Sequence, residues 1–131
     1  MMYVDTSIVL AEVLEEPRHP DDLFWQKRLV SSRLLEYEAW VRLHAYKVDA
    51  ARAERARALI RRITLAELAP EVLARALQPF PSVIRTLDAV HLATADWIRA
   101  QRDGTEVSFA TFDDRQRAAA LMLGFTIAPG F

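Results

Sequence analysis

Apolar positions along the chain alternate between short runs and helical stripes. Tyr3-Val4 is a strand-forming run, broken by Asp5-Thr6-Ser7 before Ile8, Val9, Ala11, Val13 and Leu14 recur at helical spacing. Glu15-Glu16-Pro17-Arg18-His19-Pro20 reads as a turn, and Pro20 suits the first turn of a short helix through Asp21, Leu23, Phe24 and Trp25. Leu29-Val30-Ser31 predicts a second strand. Ser31 or Ser32 then caps a helix over about 33–48, and Asp49 caps another over 50–62, rich in the helix formers Ala and Arg. Ile63-Thr64-Leu65, with Leu68, predicts a third strand, and Pro70 opens a short helix ending near Gln78-Pro79. After the loop Pro79-Phe80-Pro81-Ser82, a helix runs from Arg85 to about Arg102, and Asp103-Gly104 reads as a turn. Residues 107–112 are apolar apart from Ser108 and Thr111. A helix follows Asp113-Asp114-Arg115 and stops at Gly124, and Phe125-Thr126-Ile127-Ala128 is a last strand. Alternating strands and helices, with strands that are apolar throughout, predict an α/β sandwich: a mainly parallel sheet of about five strands flanked by helices, in one domain over residues 1–131.

Composition narrows the chemistry. About half of the 131 residues are apolar, enough for a core, and no apolar run approaches the roughly 18 residues of a membrane span. The strand signal at residue 3 leaves no room for a signal peptide. The absence of cysteine excludes disulfide scaffolds, thiolate zinc sites and cysteine nucleophiles, and suits a reducing cytoplasm. Three glycines form neither G-x-G-x-x-G nor a P-loop, and no G-x-S-x-G elbow occurs. The net charge of −1 gives no global basic field to attract nucleic acid. Lys27 and Lys47 are the only lysines among 17 basic residues; the others are arginines, which fork onto phosphates but also accompany an Ala- and Arg-rich composition.

Against that background the acids stand out. Asp5 directly follows the first strand, where ligands of open α/β sheets sit; it would also serve as the N-cap of the following helix. Asp113 repeats the arrangement after the fourth strand, with Asp114 free to cap the helix behind it. Asp88 lies in the first turn of its helix and shares a face with Leu92 and Ala95. Glu38 falls among Leu34, Leu35, Val41 and Ala45 at helical spacing, with Glu36 turned away; the plainer reading of Glu38 is an ion pair with Arg42 one turn on. Four such carboxylates in one place need neutralising, because two unit charges about 4 Å apart repel by ~4 kcal/mol at a typical effective dielectric. Oxygen-only ligands suit Mg²⁺ or Mn²⁺, and such a site hydrolyses phosphodiesters. His91 is expected to pack in the core beside Leu87, Ala95 and Ile98, although D-x-x-H is also compatible with a mixed metal pair. Arg42, Arg85 and Arg115 are close in sequence to the acids and could hold phosphates. Trp25, Tyr37, Trp40 and Trp97 either fill the core or line a groove for a partner helix.

The segments Y-V-D-T-S, S-R-L-L-E-Y-E-x-x-x-R, T-L-D-A-V-H-L-A-T-A and T-F-D-D-R, in this order across the whole chain, resemble PIN-domain ribonucleases, and more narrowly the VapC-type toxins of toxin–antitoxin pairs. The resemblance implies a PIN-like α/β/α sandwich and a metal-dependent endoribonuclease using Mg²⁺ or Mn²⁺. It further implies a homodimer and a small antitoxin partner covering the site. Asp5, Glu38 (six residues after Ser32), Asp88 and Asp113 match the family's acids, and Ser7 and Thr111 match its supporting hydroxyls. Asp96, eight residues after Asp88, turns about 80° away on a helix of ~100° per residue. The doubled Asp113-Asp114 departs slightly from the pattern. The competing expectation is an inactive PIN-like module that binds RNA or protein. A receiver-type domain lacks its late lysine here, and a haloacid-dehalogenase-like phosphatase would need D-x-D where Asp5-Thr6-Ser7 stands.

Overall fold

The computed structural model describes residues 1–102 and 105–131; the turn expected at Asp103-Gly104 lies outside them. The elements are β1 (Met2–Val4), α1 (Thr6–Val13), a 3₁₀ turn (Phe24–Gln26), β2 (Leu29–Ser32), α2 (Leu34–Ala45), α3 (Ala50–Arg61), β3 (Ile63–Ala66), α4 (Pro70–Ala76), α5 (Thr86–Gln101), β4 (Ser108–Ala110), α6 (Asp114–Met122) and β5 (Thr126–Ile127). Among the described residues the five strands form one sheet in the order β3-β2-β1-β4-β5, with every pairing parallel.

Strand residues send alternate side chains to opposite faces. Met2 and Val4 accordingly pack with Ile8, Val9, Leu35, Ala39, Leu43, Leu59 and Ile60 from α1, α2 and α3. Tyr3 packs on the other face with Leu92, Ala95 and Ile98 of α5, Ala119 and Ala120 of α6, and Phe109. Tyr3 stacks on Phe109 at 5.0 Å between ring centroids. Both faces of β1 and β2 are covered, which is why their sequences read as continuous apolar runs rather than alternating ones.

Several elements are shorter than their apolar patterns predict. The β4 ladder stops at Ala110 because Thr111 and Phe112 turn into the site, where the Phe112 N–H donates to Ser7 Oγ and the Asp113 N–H to Thr111 Oγ1. Helix α2 ends at Ala45: Lys47 takes a left-handed φ of 51°, and the Val48 N–H closes back onto Leu43 O. Gly124, at φ 82°, ends α6 in the same way, with the Phe125 N–H reaching Ala120 O. The 3₁₀ turn replaces the short helix expected after Pro20.

Strand order reverses at β1. The chain runs outward from β1 to β2 and β3, then returns to lay β4 on the other side of β1. Open parallel sheets offer a crevice at such a reversal, outside the carboxyl ends of the two adjacent strands. Asp5 follows β1 and Asp113 comes three residues after β4, so both acids stand at this crevice.

Candidate active site

Asp5 is anchored by three donors. Oδ1 accepts the Ser7 N–H at 3.0 Å and the Ser7 hydroxyl at 2.5 Å, while Oδ2 accepts the Thr111 hydroxyl at 2.6 Å. It is therefore the N-cap of α1 and a buried carboxylate at the crevice together. Burial lifts its carboxyl above the ordinary 3.8, against the downward pull of His91, Ser7 and Thr111.

Asp113 also has two functions. Oδ1 accepts the Arg115 and Gln116 N–H groups at 2.9 and 3.0 Å, capping α6, and Oδ2 faces Arg85. Asp114 is not the cap; it is the first residue of α6, exposed, and pairs with Arg117. Thr111 links the two strand-end acids, donating to Asp5 and accepting from the Asp113 N–H.

Asp88 sits in the first turn of α5. Burial raises its carboxyl, Arg85 lowers it by charge and hydrogen bond, and the nearby Asp113 adds to the rise. Arg85 bridges the pair: Nε lies 3.2 Å from Asp88 Oδ2 and Nη2 lies 2.9 Å from Asp113 Oδ2.

Glu38 is held by two residues distant in sequence. The Thr6 hydroxyl donates to Oε1 at 2.8 Å, and His91 Nε2 lies 2.5 Å from the same oxygen. Burial pushes the Glu38 carboxyl up, but the bonded His91 ring, Thr6 and Arg42 outweigh it and hold the group below 4.5. An ionised carboxylate only accepts, so Nε2 is the donor, and on the other side of the ring the Tyr3 hydroxyl lies 2.8 Å from Nδ1. Tyr3, raised by burial, stays a phenol and can donate. His91 is thus buried as expected, yet its ring is spent on orienting Glu38. Neither outcome considered for it, plain core packing or metal ligation, describes that contact.

The helical wheel misplaced part of α2. Leu35, Ala39 and Leu43 form its buried face, while Val41 and Ala45 are exposed and Leu34 only half-buried. Glu38 borders this stripe, and its partners are His91 and Thr6, with Arg42 acting through charge alone. Glu36 pairs with Arg33 at the surface. Asp96 binds Arg75 and Arg99 and does not join the other acids through any hydrogen bond among the described residues. Trp25 is buried and Trp40 and Trp97 are half-buried, whereas Tyr37 is exposed.

A chain of contacts thus runs through the four acids: Glu38 to Thr6 beside Asp5, Asp5 through Thr111 to Asp113, and Asp113 through Arg85 to Asp88. Among the described residues, no three carboxylate or imidazole groups are gathered closely enough to ligate one ion directly. Arg85 draws two of the acids together, and His91 and Thr6 hold a third by one oxygen. Three surface cavities, beside Glu12, His19 and Arg55, beside Trp25 and Arg62, and beside Trp97 and Arg28, are lined by none of these acids. Sequence reasoning missed Thr6 and the linking function of Tyr3. Their only sequence signal was adjacency to Asp5.

Residues 2–121 match the family described as PIN domain. The chain is 34% identical to a Mycobacterium tuberculosis (strain ATCC 25618 / H37Rv) protein named Ribonuclease VapC46, over 96% of this chain and 95% of the relative. It is 28% identical to a protein named Ribonuclease VapC47 from Mycobacterium tuberculosis (strain CDC 1551 / Oshkosh), over 99% of this chain and 98% of the relative. With nearly its whole length matched in each comparison, the chain belongs to the PIN-domain family.

Proposed function

We propose that this protein is a metal-dependent endoribonuclease, the toxin of a type II toxin–antitoxin pair, with Asp5, Glu38, Asp88 and Asp113 as its catalytic and metal-holding acids. The observation that supports the reading is the run of contacts that links these four side chains, through Thr6, Thr111 and Arg85, around the β1/β4 reversal of a PIN-domain sheet. The names of the two relatives, both ribonucleases, support the substrate class.

The donor set fits a hard divalent cation. Every candidate ligand atom is a carboxylate oxygen, with no thiolate in the chain. Mg²⁺ keeps several waters and is commonly held through one or two carboxylates, so the spread of these acids suits Mg²⁺ or Mn²⁺ bound partly through water. Bound there, the ion would polarise the scissile phosphodiester and lower the pKa of an attacking water.

The chain's own residues do the rest. Ser7 and Thr111 fix the Asp5 carboxylate in one orientation. His91 and Thr6 do the same for Glu38 Oε1, and Oε2, which has no hydrogen bond among the described residues, is the oxygen left to accept a proton from the attacking water.

Exposed Tyr37 and Val41 on α2, Leu73 on α4 and Leu77 just after it support burial against protein partners, here a second copy of the chain and a small antitoxin. No helix among the described residues is long and apolar enough to cross a membrane, and a cysteine-free chain suits the reducing cytoplasm we propose for it.

The test is cleavage of pooled cellular RNA by purified, partner-free protein with Mg²⁺, with Mn²⁺ and with chelator, alongside Asp5→Asn. Discrete metal-dependent products that vanish in the variant are expected. Folded protein that cuts nothing with either ion would replace this reading with an inactive PIN-like binding module.

A further inference from the structure

Arg85 is the N-cap residue of α5, yet its side chain makes no capping bond. It extends instead across the crevice to two elements, placing Nε on Asp88 Oδ2 of α5 and Nη2 on Asp113 Oδ2 ahead of α6. Asp113 has no other oxygen to offer, because Oδ1 is committed to two backbone N–H groups of α6. A cation ligated by Asp113 must therefore take Oδ2 from the arginine. The Arg85 side chain is 63% exposed, so it leaves that position without disturbing the core.

We propose that Arg85 is a metal-gated RNA-binding residue: it neutralises Asp88 and Asp113 while no divalent ion is present, and turns to an RNA phosphate once an ion takes those oxygens. The inference rests on Asp88 and Asp113 being metal ligands. The guanidinium is always charged and forks onto carboxylate and phosphate alike, so the same group serves both states. While it spans the two acids, its Nε and Nη2 are committed to carboxylates that offset its charge, so it offers an RNA phosphate little net attraction. Once displaced, it is a free cation beside the oxygens that hold the ion, where the RNA backbone must lie. Its contribution to RNA binding is thus conditional on the ion, and by linkage RNA favours ion binding equally.

The experiment compares the parent with Arg85→Ala and Arg85→Lys. Mn²⁺ binding is read from loss of the free-ion electron paramagnetic resonance signal. Binding of a fluorescent RNA oligonucleotide is read in chelator and in saturating Ca²⁺, each at constant ionic strength, with cleavage of the probe checked by gel. Removing the competing guanidinium in Arg85→Ala is expected to tighten Mn²⁺ binding by roughly threefold to tenfold, the scale of two partly exposed ion pairs. RNA affinity should match the parent in chelator and fall several-fold below it in Ca²⁺. Arg85→Lys keeps the charge without the fork, and should fall between the two in both readouts.

Equal Mn²⁺ affinity in parent and Arg85→Ala would overturn the proposal while leaving the metal site standing. Equal weakening of RNA binding in chelator and in Ca²⁺ would also overturn it, by making Arg85 an ungated contact. Absence of Mn²⁺ binding in every protein would overturn the site reading itself, and the proposal with it.

Discussion

His91 grips Glu38 by a single oxygen. Its Nε2 lies 2.5 Å from Oε1, which also accepts the Thr6 hydroxyl, and among the described residues no hydrogen bond reaches Oε2. Behind it, the Tyr3 hydroxyl lies 2.8 Å from Nδ1 and helps to hold the ring. Outer partners of metal ligands typically affect affinity or activity by 10–100-fold. His91→Leu is therefore expected to cut cleavage by about 10–100-fold, and to cost about 1 kcal/mol by removing one hydrogen-bond partner of the buried Tyr3 hydroxyl. His91→Gln, whose amide reaches roughly where Nε2 stood, should recover a substantial part of the rate. Single-turnover cleavage beside urea unfolding separates these effects. A Leu variant as active as the parent would show that Glu38 needs no orientation.

Asp5 carries an opposite balance of stability and function. Its carboxyl is raised in the folded chain, chiefly by burial, so the folded state holds the proton more tightly than the unfolded one. Its contribution to stability is fully present below 3.8 and is lost as pH rises through the folded value. Once ionised, the buried group thus burdens the metal-free fold, and above the folded value Asp5→Asn should be more stable than the parent in chelator while losing more than about 100-fold in cleavage. Raising the pH from 3.8 through the folded value should widen the stability gap in favour of Asn. Urea titrations of both proteins across that range decide it, and a gap that narrows with pH would contradict the assignment.

The helix containing Glu38 separates two acids two residues apart. Glu36 shares a surface ion pair with Arg33, of a kind worth about 0–1 kcal/mol, and has no contact with the other acids. Glu36→Gln should leave cleavage near parental and stability within about 0.5 kcal/mol. Glu38→Gln keeps acceptor and donor atoms for Thr6 and His91 but loses the charge, so it should fold and fail to cleave. Activity surviving at 38 and lost at 36 would place the wrong face of α2 at the site.

Much of this arrangement was legible in the sequence because it is local. A strand, an acid and a helix start lie within a few residues at both Asp5 and Asp113, and the five parallel strands follow from the alternation of elements. The contacts that orient the acids were not legible. His91 and Glu38 are 53 residues apart, Thr111 and Asp5 are 106 apart, and their meeting depends on a strand order that no local periodicity encodes. The α2 wheel failed for a related reason. Val41 is apolar but exposed, so hydrophobicity alone pointed the stripe toward the wrong side. Likewise, counting apolar residues overestimated β4, because Thr111 and Phe112 leave the ladder to bond with the site.

The doubled acid before α6 allows capping and chemistry to be separated at one position. Asp113 uses Oδ1 for the cap and Oδ2 toward the crevice, so Asp113→Ala removes both functions: about 0.5–2 kcal/mol of stability and the candidate ligand. Asp113→Ser retains a side-chain oxygen for the N–H groups of Arg115 and Gln116 but carries no charge. It should hold nearly parental stability and still lose cleavage. Asp114→Ala removes only an exposed pair with Arg117, so both stability and cleavage should persist. If Asp113→Ser cleaved normally while Asp114→Ala did not, the catalytic carboxylate would be the neighbouring one, and the cap would be the whole of what Asp113 does.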